Sequence, residues 1–247
     1  MKLTIVGSGD AFGSGGRLQT CFHVASGDYE FLIDCGATAL IGMARLGLDP
    51  GRIQAVYITH LHGDHFSGLV WLLMHAEYVA KRTAPLVIVG PRGLAERLKT
   101  AGEALFPGFS RRRRGFRTEV LEHVGAVALD VGPVVSEAFE VNHPSGAPAY
   151  ALRFTSGGRI LAFSGDTEWV DALLACAAHS DLYISECYGY DRDTPHHMTW
   201  TRIQERLPKL SARRILLTHM SAEMLAGAGA IDDRRVGLAE DGLRLEI

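Results

Sequence analysis

The sequence is poor in cysteine: Cys21, Cys35, Cys176 and Cys187 are widely spaced and form no Cys-x-x-Cys pair. That spacing argues against a disulfide framework and reads as four small buried hydrophobes in a reducing cytosol. Nor is there an apolar run approaching the roughly 18–20 residues that cross a bilayer, which excludes a membrane span. Met1–Gly7 enters a strand directly, with too few apolar residues for a secretory leader, so a cytoplasmic location is expected. Charge of one sign is lacking too. A net charge of −3 gives no global reason to expect a nucleic-acid binder, although charge can be local. The glycine-rich stretch Gly7–Gly16 is followed by no Lys-Ser/Thr pair, and Phe12 breaks the GxGxxG pattern, so nucleotide binding there is a weak reading. With 47% hydrophobic and 21% charged residues, the chain has the composition of an ordinary globular protein. Its 247 residues suffice for one large domain.

Against those absences stands one dense motif, Thr59-His60-Leu61-His62-Gly63-Asp64-His65. Gln54–Ile58 ahead of it is a β-branched and aromatic run that predicts a strand, and Phe66–Leu73 behind it suits a helix. Three imidazoles and a carboxylate therefore occupy a strand-to-helix loop, with Gly63 expected to relieve crowding. Imidazole nitrogen and carboxylate oxygen are the ligand set of zinc, and also of manganese or iron. One loop cannot complete a site, and three further apolar runs end in a possible ligand. Phe139–Val141 leads to His143, Arg159–Phe163 to Asp166, and Arg214–Leu217 to His219.

Strands are expected at Leu3–Val6, Thr20–Ala25 and Tyr29–Ile33, the last two joined by Ser26-Gly27-Asp28. Others follow at Leu86–Pro91, Val127–Val131, Ser136–Val141, Ala149–Thr155 and Asp181–Glu186. Helices are expected at Ala37–Leu46, from the motif to about Arg82, and at Leu94–Ala104, Glu168–Ala178 and Trp200–Leu207. Met224–Ile231 is small and flexible in composition, and Leu243–Ile247 suits an edge strand. Asp34 reads as a carboxylate that supports a metal-bound histidine from behind, in preference to a plain turn residue. Arg111-Arg112-Arg113-Arg114, beside Phe109 and Phe116, can hold an anionic backbone or form a solvated loop. His23, His75, His123, His179 and His196 are unassigned. Ile58-Thr59-His60 and Leu217-Thr218-His219 form a weak repeat, one in each half of a single domain over 1–247 (about 1–120 and 121–247).

The order HxHxDH, then His143, Asp166 and His219, resembles the metallo-β-lactamase superfamily over nearly the whole chain. The resemblance implies an α/β fold, the αββα four-layer sandwich, with its metal site at one edge. It implies that His60, His62 and His143 hold one divalent cation, that Asp64, His65 and His219 hold a second, and that Asp166 bridges them. Zinc is the expected metal, with manganese or iron as alternatives. Asp64 is expected also to orient the attacking water or accept its proton. Within the superfamily, Gly7–Phe12, Glu186 and His197-Met198-Thr199 look like the ribonuclease Z group, which implies that Glu186 holds His197 as proton donor to the leaving oxygen of a phosphodiester. The chain departs from that group in having no long glycine- and proline-rich arm for transfer RNA, as do shorter relatives acting on small cyclic phosphates. The expected partner is thus a phosphodiester, RNA or a small nucleotide-like molecule, with a homodimer as the possible assembly. A lactonase or thiolesterase with the same metals and a non-catalytic metal-binding protein are the alternatives.

Overall fold

Runs of β-branched and aromatic residues bounded by turn residues set out the strands of the first half of the chain. In the computed structural model, which describes residues 1–125 and 127–247, these are β1 (Lys2–Gly7), β2 (Cys21–Ser26), β3 (Tyr29–Ile33), β4 (Ala55–Tyr57), β5 (Leu86–Gly90) and β6 (Thr118–Glu122). The second half supplies β7 (Leu129–Val131), β8 (Val134–Val141), β9 (Ala149–Ser156), β10 (Arg159–Phe163), β11 (Leu182–Glu186), β12 (Ile215–Thr218), β13 (Val236–Leu238) and β14 (Arg244–Glu246). They form two seven-stranded mixed sheets, ordered β14-β1-β2-β3-β4-β5-β6 and β13-β12-β11-β10-β9-β8-β7. The last strand crosses back to pair antiparallel with the first, Lys2 opposite Glu246.

Between the sheets lies an aromatic core. Phe22 meets Phe163 edge-on at 5.0 Å, and Tyr57 meets Phe154 likewise at 5.0 Å. The helices α1 (Ala39–Leu46), α2 (Gly63–Phe66), α3 (Gly68–Tyr78) and α4 (Leu94–Leu105) follow strands of the first sheet. Residues of α1, α3 and α4 fill a second apolar cluster with Val6, Leu32, Val56 and Ile88 on that sheet's outer face. The shorter α5 (Ala172–Cys176), α6 (Trp200–Arg206) and α7 (Ala222–Gly227) do the same for the second sheet, around Ala162, Tyr183, Ile215 and Leu217. The result is the expected four-layer αββα sandwich. β3, β4, β10, β11 and β12 run parallel to their neighbours on one side, so their C-terminal ends share an edge. That edge carries Asp34, the His60 loop, Asp166, Glu186 and His219.

Some expected elements differ. The helix behind the motif is a single turn followed by α3, and it stops at Tyr78 rather than Arg82. Arg82 instead buries its guanidinium and donates to the carbonyls of Ile53, Ala84 and Pro85, which turns the chain toward β5. Only Ala172–Cys176 is helical in the stretch expected as 168–178, because Thr167 and Glu168 are drawn back toward β8 by bonds to Asn142. The segment 222–230, small in composition, is α7 plus a 3-10 turn, started by the Ser221 hydroxyl, which accepts from the Met224 N–H.

Candidate metal centre

Most of the functional side chains follow the end of a strand, where the ladder stops and the backbone is free to aim them; Asp64 and His65 sit in the single turn α2 and His197 in the loop before α6. Asp34, just past β3 and in the left-handed region at φ 55°, is fully buried. Its carboxylate accepts from the Thr59 N–H and the Thr59 hydroxyl at 2.8 Å each, and from His65 Nδ1–H at 2.7 Å. Because the Thr59 hydroxyl hydrogen is committed to Asp34, its oxygen accepts from His60 Nδ1–H at 3.0 Å. His143 Nδ1–H donates to the carbonyl of His196 at 3.0 Å. The network thus fixes the tautomer of three imidazoles and leaves each Nε2 lone pair facing inward.

What those lone pairs face is one another. Ligand atoms of His60, His62 and His143 lie within 4.8 Å of each other, and so do those of Asp64, His65, Asp166 and His219. Asp166 stands between the two groups: its Oδ2 is 3.2 Å from His219 Nε2, 3.3 Å from His65 Nε2, 3.8 Å from His60 Nε2 and 3.9 Å from His143 Nε2. All but half-buried His62 are withdrawn from solvent. His60 Nε2, His65 Nε2 and Asp166 Oδ1 are buried with no hydrogen-bond partner among the described residues. Inward lone pairs and orphaned buried atoms on N and O ligands are costly alone and fit a pair of divalent cations. Burial, then the neighbouring His65, holds His60 well below the usual imidazole range, Asp64 is driven down by His65 and His219 against its burial, and the carboxylates around them hold His65 up and push His219 up to about 9 against burial.

Beside this cluster stands His197. Its Nδ1 is 3.2 Å from both oxygens of Glu186, which is fully buried at the end of β11. A ring nitrogen of His197 also comes within 4.8 Å of the ligand atoms of His143 and Asp166. Burial raises the Glu186 carboxyl, and against its own burial the Glu186 bond raises His197, so the pair favours a shared proton on the imidazole side. The second Glu186 contact is the Thr167 N–H at 2.5 Å, one residue past Asp166. The seven expected ligand positions and the His197–Glu186 pair therefore converge on one edge.

Three expectations at the site change. A Cβ at Gly63 would meet nothing within 4 Å, so Gly63 relieves no crowding. The tight glycines are Gly36 and Gly68, where a Cβ would come within 2.4 Å of the Asp64 carbonyl and 2.2 Å of the Gly36 carbonyl. The arginine run is partly tied down: Arg112 lies over Tyr78 at 5.6 Å and Arg114 over Phe109 at 4.4 Å, beside Glu77. Phe109 and Phe116 are buried, so neither can interleave with bases. Sequence reasoning also missed Tyr188, whose ring packs 4.8 Å from His197 and 6.2 Å from His219, and the role of the His196 carbonyl. An aromatic two residues past Glu186 was the available signal for the first, and the second has none, being backbone.

A family profile described as Anti-Pycsar protein Apyc1 matches residues 1–243. The probable metallo-hydrolase YhfI of Bacillus subtilis is 25% identical over 227 residues, 89% of this chain and 87% of that protein. Its crystal structure superposes with a TM-score of 0.79, covering 99% of both chains. Ribonuclease Z of Mycobacterium bovis is 30% identical over 195 residues, 74% of this chain and 69% of the enzyme. The short form of human tRNase Z superposes with a TM-score of 0.81 at 25% identity, over 100% of this chain and 99% of its own.

Proposed function

Since the chain belongs to the family described as Anti-Pycsar protein Apyc1, and with it to the metal-dependent hydrolases of the metallo-β-lactamase fold and ribonuclease Z type, we propose that it is a dinuclear phosphodiesterase. In this reading His60, His62 and His143 hold one cation, Asp64, His65 and His219 the other, and Asp166 both, with zinc the favoured metal and manganese or iron compatible with an all-N/O set. Bound there, two divalent cations supply Lewis acidity and a water acidic enough to attack at neutral pH. Asp64, at the rim of the second group, orients that water and takes its proton. His65 is held in place by Asp34, and His60 by Thr59. On the opposite side His197 gives its Nε2 proton to the departing oxygen, and Glu186 orients the ring and keeps it charged. An alkoxide is a poor leaving group, so a phosphodiester needs that donor.

The observation that carries the reading is the His197 Nδ1–Glu186 contact, 3.2 Å to both oxygens, beside the His/Asp cluster. Hydrolysis of a lactone or thiolester makes no comparable demand. A small diester, nucleotide-like or cyclic, is favoured over a folded RNA. The segment where a clamp would emerge, between α4 and β6, folds back with Phe109 and Phe116 buried. A homodimer and a reducing compartment belong to the same proposal; the four cysteines are free and buried. No helix among the described residues is long and apolar enough to cross a membrane. Elemental analysis and a panel of phosphodiester, lactone and thiolester substrates test the reading. Two metals per chain and turnover of phosphodiesters above the others are expected; full activity with one metal or none refutes it.

A further inference from the structure

Two clefts flank the loop 190–198 that delivers His197. The loop is pinned at its neck, where Tyr188 N–H donates to the Met198 carbonyl at 2.9 Å and Trp200 N–H to the Gly189 carbonyl at 2.8 Å. It therefore stands as a fixed wall between them. One cleft, of about 500 Å³, lies against Asp10, exposed Phe12 and Tyr188, and reaches the site only through the Tyr188 ring. The other, of about 460 Å³, has His197 itself in its wall, with Trp169, Pro195, Met198, Arg202 and Arg206.

We infer that this second cleft receives the ring of the nucleoside bonded to the leaving oxygen of the phosphodiester, stacked between the Trp169 indole and the Arg206 guanidinium. The inference rests on the phosphodiesterase reading, in which His197 protonates the leaving oxygen. A proton donor must touch that oxygen, so the group bonded to it extends into space that His197 borders. Of the two clefts, only the second meets that condition. Its walls have the right chemistry. Arg206 Cζ lies 5.7 Å from the Trp169 ring centroid. At that distance the pair is already in cation–π contact, so the incoming ring takes the guanidinium's place on the indole face and Arg206 swings outward to cover the ring's far side. Its side chain is 32% exposed and tied to the adjacent Glu205 at 3.1 Å, which leaves it free to move at low cost. Trp169 is the fixed face, seated on the apolar cluster beneath the second sheet, its Nε1–H directed to Asp171 at 3.4 Å. Asp193, held by Arg202 at 3.2 Å, and Glu168 place carboxylate acceptors at the rim for ring N–H or amino groups.

Trp169→Ala and Arg206→Ala in the metal-loaded enzyme test this with two diesters of one nucleotide, one releasing a nucleoside and the other methanol. Base stacking is worth about 1–3 kcal/mol, so kcat/KM for the nucleoside-releasing diester should fall roughly 5–150-fold with Trp169→Ala, and less with Arg206→Ala. Turnover of the methyl ester should hold at the wild-type value, and Trp169→Phe should recover most of the loss. Adenosine binding to the wild-type protein, measured by calorimetry, should weaken in Trp169→Ala and persist in Phe12→Ala. Equal losses on both diesters would make Trp169 a packing residue and overturn the subsite, as would a loss confined to Phe12→Ala. If the wild type cleaves neither of these diesters nor a cyclic nucleotide, the phosphodiesterase reading fails. Adenosine binding lost with Trp169→Ala would then still support the cleft, and no adenosine binding would overturn it.

Discussion

Replacing Glu186 by Gln changes one oxygen to an amide in a fully buried position where every hydrogen bond is already committed. Glu186 accepts from Thr167 N–H at 2.5 Å and faces His197 Nδ1 at 3.2 Å through both oxygens. The single oxygen of Gln will be taken by Thr167, the shorter contact. Its NH2 then confronts Nδ1–H, donor against donor, and His197 escapes by placing its proton on Nε2 and accepting at Nδ1. The ring is left neutral, without the charge that makes it a strong acid. A hydrogen bond to a charged group is worth about 1.5–3 kcal/mol net, which corresponds to a loss of roughly 10–150-fold in kcat for an alkyl or ribose leaving group. His197→Ala removes the donor itself and should cost about 10²–10⁴.

The assay is a series of aryl and alkyl phosphodiesters of graded leaving-group pKa, with metal content measured on each variant. Both variants should keep the wild-type metal content and be least impaired on nitrophenyl esters, whose leaving group needs little protonation. Their rates should fall away progressively as the leaving group becomes more basic. A loss independent of leaving group would refute the donor role. So would a fall in metal content, since Glu186, His197 and His219 are themselves close enough to share an ion.

Asp34→Ala should weaken metal binding about 10–100-fold by releasing both His65 and Thr59, read as chelator competition with the fold retained by circular dichroism. His123, buried with neither ring nitrogen bonded among the described residues, is pushed down to about 4 by burial. A lowered histidine stabilises the fold above its unfolded value of about 6.5, and that contribution is lost as pH falls toward 4. His123→Phe should therefore remove up to ~3 kcal/mol of acid sensitivity, seen as a smaller drop in urea stability between pH 7 and pH 4 than in the wild type. Gly68→Ala, whose Cβ would lie 2.2 Å from one carbonyl and 2.7 Å from another, should destabilise by about 1–3 kcal/mol, whereas Gly63→Ala, with open space around it, should be neutral or stabilising in chemical denaturation.

The parts of the site that were legible share one property: each is a side chain whose type and position at a strand end are both written locally. His60, His62, Asp64 and His65 fall within six consecutive residues, and His143, Asp166 and His219 each follow an apolar run that can hardly be other than a strand. The strands were legible for the same reason, since burial on both faces demands continuous apolar runs. Where the reading slipped, a side chain far along the chain had redirected the backbone. Arg82 ended a helix early by taking the Ile53 carbonyl, 29 positions back, and Asn142 held residues 167 and 168 out of α5.

The clefts belong to this second kind. Trp169 and Arg206 meet across 37 positions. Neither residue type signals a site, and the cleft they line is closed on its other side by the 190–198 loop, stapled at Tyr188 and Met198. His196, at φ 63°, shows how close the two kinds of information can lie. Its side chain means nothing to the sequence reader, yet its carbonyl sets the tautomer of His143, and its neighbour His197 is the proposed proton donor. Ligand identity is thus carried by residue type, which a sequence displays. In the reading proposed above, ligand poise and leaving-group selection are carried by the backbone path of one loop, which a sequence encodes only through the distant contacts that hold it. A change of substrate within this fold therefore requires no change among the seven ligand positions, only a different path from Tyr188 to Thr199.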